Sequence, residues 1–399
     1  MKYISAAAVL ALIILCPFKS SGGDWPCWRG PERDGISPEK GWQTDWPAEG
    51  PKRLWRASVG TGFSSFSVSD GRVYTMGNTA NTDRVFCLEA ATGRKIWEHS
   101  YPCALAANNF EGGPCATPTI ADGRVYTFSR SGDLFCLDAT KGTVVWSKNL
   151  NRELGLEIPT WGCASSPLIE GTTVVVNMGS AGVALDRTSG KAVWVSAKGP
   201  GAYATPVPFE RGPERCLAIL SRQSLIAVKA ADSHELWSYP WKTAYDVNTA
   251  DPIVDGDKIF LSSGYNHGAA VLKMTGQTPE RVWENKNMRN HFNSCVLWQG
   301  YIYGPDDDGL RCLAFDTGDL KWTYAAFGKG SLMVADGKLV GLSENGELII
   351  AEPTAAEFKP IARAHVLQGK CWTTPLLSSG HIYCRNAVGD VVCLDVSGE

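Results

Sequence analysis

One unit is written eight times in this chain, and no other feature restricts its fold as much. The second half of the unit reads RVFCLEAATGRKIW at 84–97, GDLFCLDATKGTVVW at 132–146, GVALDRTSGKAVW at 182–194 and GLRCLAFDTGDLKW at 309–322. Each copy holds an apolar run, a Gly-containing turn, a second apolar run and a closing Trp. The first half recurs too, as SSFSVSDGRVYTM from 64, ATPTIADGRVYTF from 116, SSPLIEGTTVVVN from 165 and TTPLLSSGHIYC from 373. It starts on small polar residues and continues as a short apolar strand, a turn and a strand alternating aromatic with aliphatic residues.

Joined, the halves predict four antiparallel strands per unit. The Gly of the last turn supplies positive φ for a tight connection. From Trp97 to Trp322 the closing Trp residues at 97, 146, 194, 237, 283 and 322 fall 39 to 49 residues apart, which is the length of a propeller blade. A single blade cannot bury both of its faces, so each needs a large flat side chain to wedge against its neighbour. The expected fold is all-β, an eight-bladed β-propeller occupying residues 53–399.

Two units depart from the pattern. The eighth stops at VVCLDVSGE, after its third strand, while RLWRASVG at 53–60 carries Trp55 at the closing position with no earlier strands of its own. Pairing these two segments would fasten the ring and leave no open edge. The seventh unit ends EFKPIARAHV, with Phe358 and no Trp.

Residues 1–23 read as a signal peptide: Lys2, an apolar run from Ile4 to Leu15, then small polar residues with a cleavage site at Ser21-Gly22-Gly23. The run is too short to span a bilayer comfortably, and Leu15 stands where lipidation at Cys16 would want a small residue. The expectation is export to the periplasm or cell envelope, with no transmembrane segment after cleavage. Cleavage would remove Lys2 and Lys19 from 38 basic residues and none of 41 acids, taking the net charge from −3 to −5. That balance excludes an electrostatic attraction to nucleic acid. Twelve of the 13 cysteines would remain, in a compartment that permits disulfides. Cys87, Cys136, Cys312 and Cys393 share one repeat position between apolar neighbours, which favours buried thiols.

The repeated LDAxTGxxxW motif, with SP or TP entering most blades, resembles the quinoprotein (pyrroloquinoline-quinone, PQQ) propeller repeat. The resemblance covers about residues 53–399. That family includes PQQ-dependent alcohol dehydrogenases and also the assembly factor BamB and its relatives, which bind no quinone. DWPCWRGPERDGIS at 24–37 is similar to the opening of many exported PQQ-like proteins, and residues 24–52 are expected to form a strap across one face of the ring.

In such a propeller the entry loops and the middle turns share one face near the axis. The entry loops would bring Phe63, Glu111, Trp161, Tyr203, Asp246, Asn248, Asp251, His291, Asn293, Lys329 and Trp372 into a funnel, and the middle turns would add Asn78, Arg130, Arg222, His267, Asp306, Glu344, Arg385 and Asn386. Aromatic and charged groups converging in this way are the usual form of a ligand site. A PQQ dehydrogenase, as the resemblance implies, also needs a carboxylate base, a Ca²⁺ ion held by Glu, Asn and Asp oxygens, and a flat ring beneath the cofactor. The candidates are Asp251 as base, Glu111, Asn293 and Asp251 as metal ligands, and Trp161 or Trp372 as the stacking ring.

Against that chemistry, the sequence has no vicinal Cys pair, no C-x-x-C-H, and no room for the long insertions of the large alcohol dehydrogenases. Asp251 precedes Pro252 and serves equally as a cap on the strand entry. PDDDGL at 305–310 has consecutive acids where a calcium loop alternates them, and reads as an Asp-rich turn. His267 and His291 lack metal-site spacing. The expected function is a non-catalytic binding or scaffold module that takes a protein, peptide or small molecule on its loop face. The alternative is a small PQQ- and Ca²⁺-dependent alcohol or sugar dehydrogenase.

Overall fold

The computed structural model describes residues 23–398 apart from 48, 200 and 275–277, so the expected signal peptide lies outside the described residues. Eight antiparallel sheets follow one another around an axis. Blade 1 comprises Ser67–Ser69, Arg72–Thr79, Thr82–Glu89 and Lys95–Pro102. Blades 2 to 7 repeat this sequential order, their first strands starting at Thr119, Leu168, Val207, Ile253, Val296 and Ser331. Blade 8 has only three consecutive strands, Leu376–Ser378, His381–Arg385 and Asp390–Asp395. Its fourth is Lys52–Ser58, antiparallel to Asp390–Asp395, with Trp55 opposite Cys393. The two ends of the propeller are thereby fastened together, as the sequence pattern required.

In all eight blades the register between third and fourth strands shifts by one residue next to the closing position. Such a bulge turns the strand and re-aims a side chain. Here it sends the Trp towards the next blade. The indoles of Trp55, Trp97, Trp146, Trp194, Trp283 and Trp322 each donate to a main-chain carbonyl there, at Ala90, Ala139, Arg187, Ala230, Phe315 and Thr354, over 2.8 to 3.0 Å. Burying a Trp without a partner for its N–H would forfeit part of the gain.

The turn glycine does more than supply φ. Gly93, Gly142, Gly190 and Gly318 have φ of 70–73°, and each lies against the Trp of the preceding blade. A Cβ there would come within 2.5–2.8 Å of a heavy atom of that side of the interface. Blade 7 carries Ala362 at the closing position, opposite Ile350. Trp42 and Trp46, from the N-terminal segment, join the cluster that Ala362 packs against, and Phe358 stacks on Tyr324 with ring centres 4.1 Å apart.

Cys87, Cys136, Cys312 and Cys393 face Tyr74, Tyr126, Tyr303 and Tyr383 across the central strand pair. All four are free thiols. Burial pushes Cys87 and Cys136 up to about 11 and Cys312 and Cys393 up to about 12, so they behave as small apolar residues. No helix among the described residues is long and apolar enough to cross a membrane.

The N-terminal segment crosses the face opposite the entry loops. Trp25 bridges to Val68 of blade 1. Arg29 donates to the Cys295 carbonyl of blade 6, Arg33 to the Ile169 carbonyl of blade 3, and Ile36–Ser37 adds a short parallel strand to blade 7. Glu39 accepts from the backbone amides of Ser379 and Gly380 in blade 8.

Candidate functional site

The residue that opens each blade explains the recurrent Ser or Thr. Ser65 N donates to Thr117 Oγ1, Thr117 N to Ser166 Oγ, Ser166 N to Thr205 Oγ1, Thr205 N to Asp251 Oδ1 and Asp251 N to Ser294 Oγ, over 2.7 to 3.1 Å. Ser331 Oγ meets Thr374 Oγ1 at 2.6 Å, and Ser65 Oγ donates to the Thr374 carbonyl. Between blades 6 and 7 the link is Asn293 Nδ2 to the Gly330 carbonyl, and with it hydrogen bonds circle the axis, five of them satisfying backbone amides at the strand entries.

On the loop side of this circle is a cavity of 430 Å³. Its wall is a run of rings in contact. His291 stacks on Phe292 at 3.9 Å, Phe292 on Trp372 at 4.3 Å, and Trp372 on Phe63 at 5.6 Å. Phe63 then meets Phe110 at 5.9 Å and Phe110 meets Trp161 at 6.2 Å. In the other direction Tyr265 abuts His291 edge-on at 4.5 Å, and Tyr245 abuts Tyr265. Tyr203 completes the lining, its hydroxyl accepting from Trp161 N.

Few charged groups reach the lining. Lys329 Nζ lies 2.8 Å from His291 Nδ1 and 3.4 Å from Asp307. An ammonium only donates, so His291 accepts at Nδ1 and carries its proton at Nε2. Burial, then the Lys329 charge, lower His291 to about 4, and the ring is neutral at pH 7. Asp251 is 5% exposed. Its Oδ1 accepts from Thr205 N at 2.7 Å and its Oδ2 from Trp28 Nε1 at 2.6 Å. Burial raises its pKa, opposed by the Arg29 charge and these bonds.

Of the residues expected in the funnel, Phe63, Trp161, Tyr203, Asp251, His291, Asn293, Lys329 and Trp372 line the cavity. The others do not. Asn248 is fully buried and spends its amide on the carbonyls of Ser221, Arg222 and Trp241. Arg385 is also fully buried and clamps blade 8 to blade 1 through the carbonyls of Ser64, Met76 and Gly60. Burial lowers its pKa to about 10. Arg130 holds the carbonyls of Leu105 and Trp161, and Glu111 forms an ion pair with Lys370 at 2.8 Å. Trp28, Phe110, Tyr265 and Phe292 line the cavity without having been singled out by the repeat alignment.

A family model described as outer membrane protein assembly factor BamB matches residues 81–324, more than half of the chain. The chain belongs to this family. Its fold is shared with BamB from Moraxella catarrhalis, at 16% identity and a TM-score of 0.64, covering 86% of this chain and 99% of that one. It is shared equally with a europium-containing methanol dehydrogenase, at 12% identity and 0.70, covering 93% and 91%. A quinohemoprotein alcohol dehydrogenase from Comamonas testosteroni matches at 13% and 0.66, covering 94% and 81%. No curated protein sequence matches the chain. This BamB-family propeller therefore shares its fold with a BamB and with dehydrogenases, and its own residues have to discriminate.

The oxygen set for a quinone-bound Ca²⁺ ion does not fit. Both oxygens of Asp251 are taken by N–H donors and both oxygens of Glu111 face Lys370, so of the three candidates only Asn293, whose Nδ2 donates to the Gly330 carbonyl, keeps its oxygen for a metal. Among the described residues no group of three or more His, Cys, Asp or Glu is placed to hold a metal ion. The consecutive acids 306–308 serve elsewhere. Asp306 is buried in a bidentate pair with Arg289, Asp308 joins Arg289 and Arg311, and Asp307 faces Lys329.

Proposed function

We propose that this protein is an exported binding or scaffold module of the cell envelope that holds a protein, peptide or small-molecule ligand in its axial cavity and performs no chemistry on it. The observation that carries this reading is the unbroken aromatic wall from Tyr265 through His291, Phe292, Trp372, Phe63 and Phe110 to Trp161 around a concave 430 Å³ space. Aromatic rings supply large apolar contact with little conformational freedom to lose. The one lysine in the lining is already neutralised by Asp307, which favours an uncharged or weakly anionic apolar group over a polyanion. Export is supported by the pattern of residues 1–23 and by membership of a family described as an outer membrane assembly factor. Binding is claimed here, and that assembly pathway is not.

Native mass spectrometry of the mature protein recovered from an envelope extract reports bound peptides and small molecules alike. The expected result is a reproducible bound species that Phe292→Ala and Trp372→Ala lose. A wild-type protein that carries nothing, or a species that both variants retain, contradicts the reading.

A further inference from the structure

Seven of the eight blade-opening positions are Ser or Thr: Ser65, Thr117, Ser166, Thr205, Ser294, Ser331 and Thr374. The eighth is Asp251. A hydroxyl suffices to accept the amide of the preceding blade, as it does at Thr117, Ser166, Thr205 and Ser294. Burying a carboxylate instead carries a desolvation penalty, which a strand cap alone would not require. What a carboxylate adds is a second acceptor, and here that oxygen takes the indole N–H of Trp28, 223 residues away.

The N-terminal motif is shaped to deliver that indole. Trp25 packs on blade 1, and Gly30, at φ 84°, turns so closely over the Trp25 ring that a Cβ would come within 2.7 Å of it. Arg29 closes the turn on the carbonyls of Arg33 and Asp34 and ties it to Cys295 of blade 6. Cys27 donates its thiol proton to the Gly30 carbonyl. Between these anchors Trp28 reaches Asp251 at the entry to blade 5. It lines the aromatic cavity on one side and a void of about 10 Å³ on the other.

We propose that Trp28 is the floor of the ligand site, held there by Asp251, so that the N-terminal segment and not the ring alone sets how long a ligand the axial cavity admits. This rests on the reading of the cavity as a ligand site. The ring by itself would leave an axial channel; the indole makes it a blind pocket that accepts short apolar ligands and rejects long ones.

Two fluorescent probes that share an apolar anionic chemistry and differ in length test this: 1-anilinonaphthalene-8-sulfonate (ANS) and its dimer bis-ANS. The wild type is expected to bind ANS one-to-one, with Trp372→Ala weakening it at least tenfold, and to bind bis-ANS no better than ANS. Trp28→Ala is expected to raise the affinity for bis-ANS relative to ANS at least tenfold. Asp251→Ser keeps the acceptor for Thr205 N and removes the one for Trp28. It is expected to raise that ratio at least threefold, and it reads the same quantity should Trp28→Ala fail to fold. A wild type that binds no ANS overturns the ligand-site reading and this inference with it. ANS binding with an unchanged ratio in the folded variants overturns the floor alone.

Discussion

Gly142 lies flat against the indole of Trp97: a Cβ at position 142 would stand 2.5 Å from the ring of a residue in the neighbouring blade. The same contact recurs between Gly93 and Trp55, Gly190 and Trp146, and Gly318 and Trp283. The TG and the W of the repeat are therefore two halves of one inter-blade contact, contributed by adjacent copies.

This contact can be separated from backbone strain within one blade. Gly123 has the same φ of 70° as Gly142, but nothing lies within 4 Å of its missing Cβ. Gly123→Ala is expected to cost about 1–2 kcal/mol, the strain of a left-handed residue. Gly142→Ala is expected to cost a further ~1–3 kcal/mol for displacing the ring. Urea midpoints of the two variants give the difference, and equal midpoints would show that the Trp packing tolerates a methyl group.

Trp55 closes the ring, since its strand is the outer strand of the last blade. Trp55→Ala removes a buried aromatic and its bond to the Ala90 carbonyl, and is expected to destabilise by about 3–5 kcal/mol. Equilibrium unfolding of wild type and variant measures it.

The three consecutive aspartates should differ sharply. Asp306, whose side chain is wholly buried, receives Arg289 bidentately along with Arg289 N and Arg311. Asp306→Ala would leave two guanidinium groups without their buried counter-charge, an expected loss of about 3–5 kcal/mol. Among the described residues Asp307 pairs with Lys329 and His291 alone, and Asp307→Ala is expected to cost under about 1 kcal/mol. Thermal or urea unfolding of both variants distinguishes this from a calcium loop, in which all the acids would act together.

His291 imposes a pH dependence. Its pKa falls from 6.5 to about 4 on folding, so below pH 6.5 the unfolded chain takes up a proton that the folded protein refuses. Its contribution to stability is fully present above about pH 6.5 and declines as pH falls towards 4. Urea midpoints between pH 7 and 4.5 are expected to fall less steeply in His291→Gln than in the wild type. His99 and His267, also lowered by burial, remain in the variant to give the residual slope.

Period and closing residues made the blades legible, because every blade must satisfy the same packing problem with its neighbour. Even the ring closure followed from an orphan fourth strand at Lys52–Ser58 and a missing one after Asp395. The cavity was less legible, for two physical reasons. Phe110, Tyr265 and Phe292 sit in connections of irregular length, where no repeat register says which way a side chain turns. Asn248 and Arg385 border the expected funnel in sequence, yet their side chains turn into the body of the ring to bind carbonyls. Trp28 was beyond reach because its partner Asp251 belongs to the fifth blade, and only the path of the N-terminal segment brings them together.

The most direct test of the central claim is a calorimetric titration of the mature protein with PQQ in excess Ca²⁺, read in parallel by Trp fluorescence. With Asp251 and Glu111 already committed to Trp28, Thr205 and Lys370, no saturable binding is expected. One-to-one binding at about micromolar or tighter, roughly −8 kcal/mol, would contradict a non-catalytic binding module and restore the dehydrogenase reading.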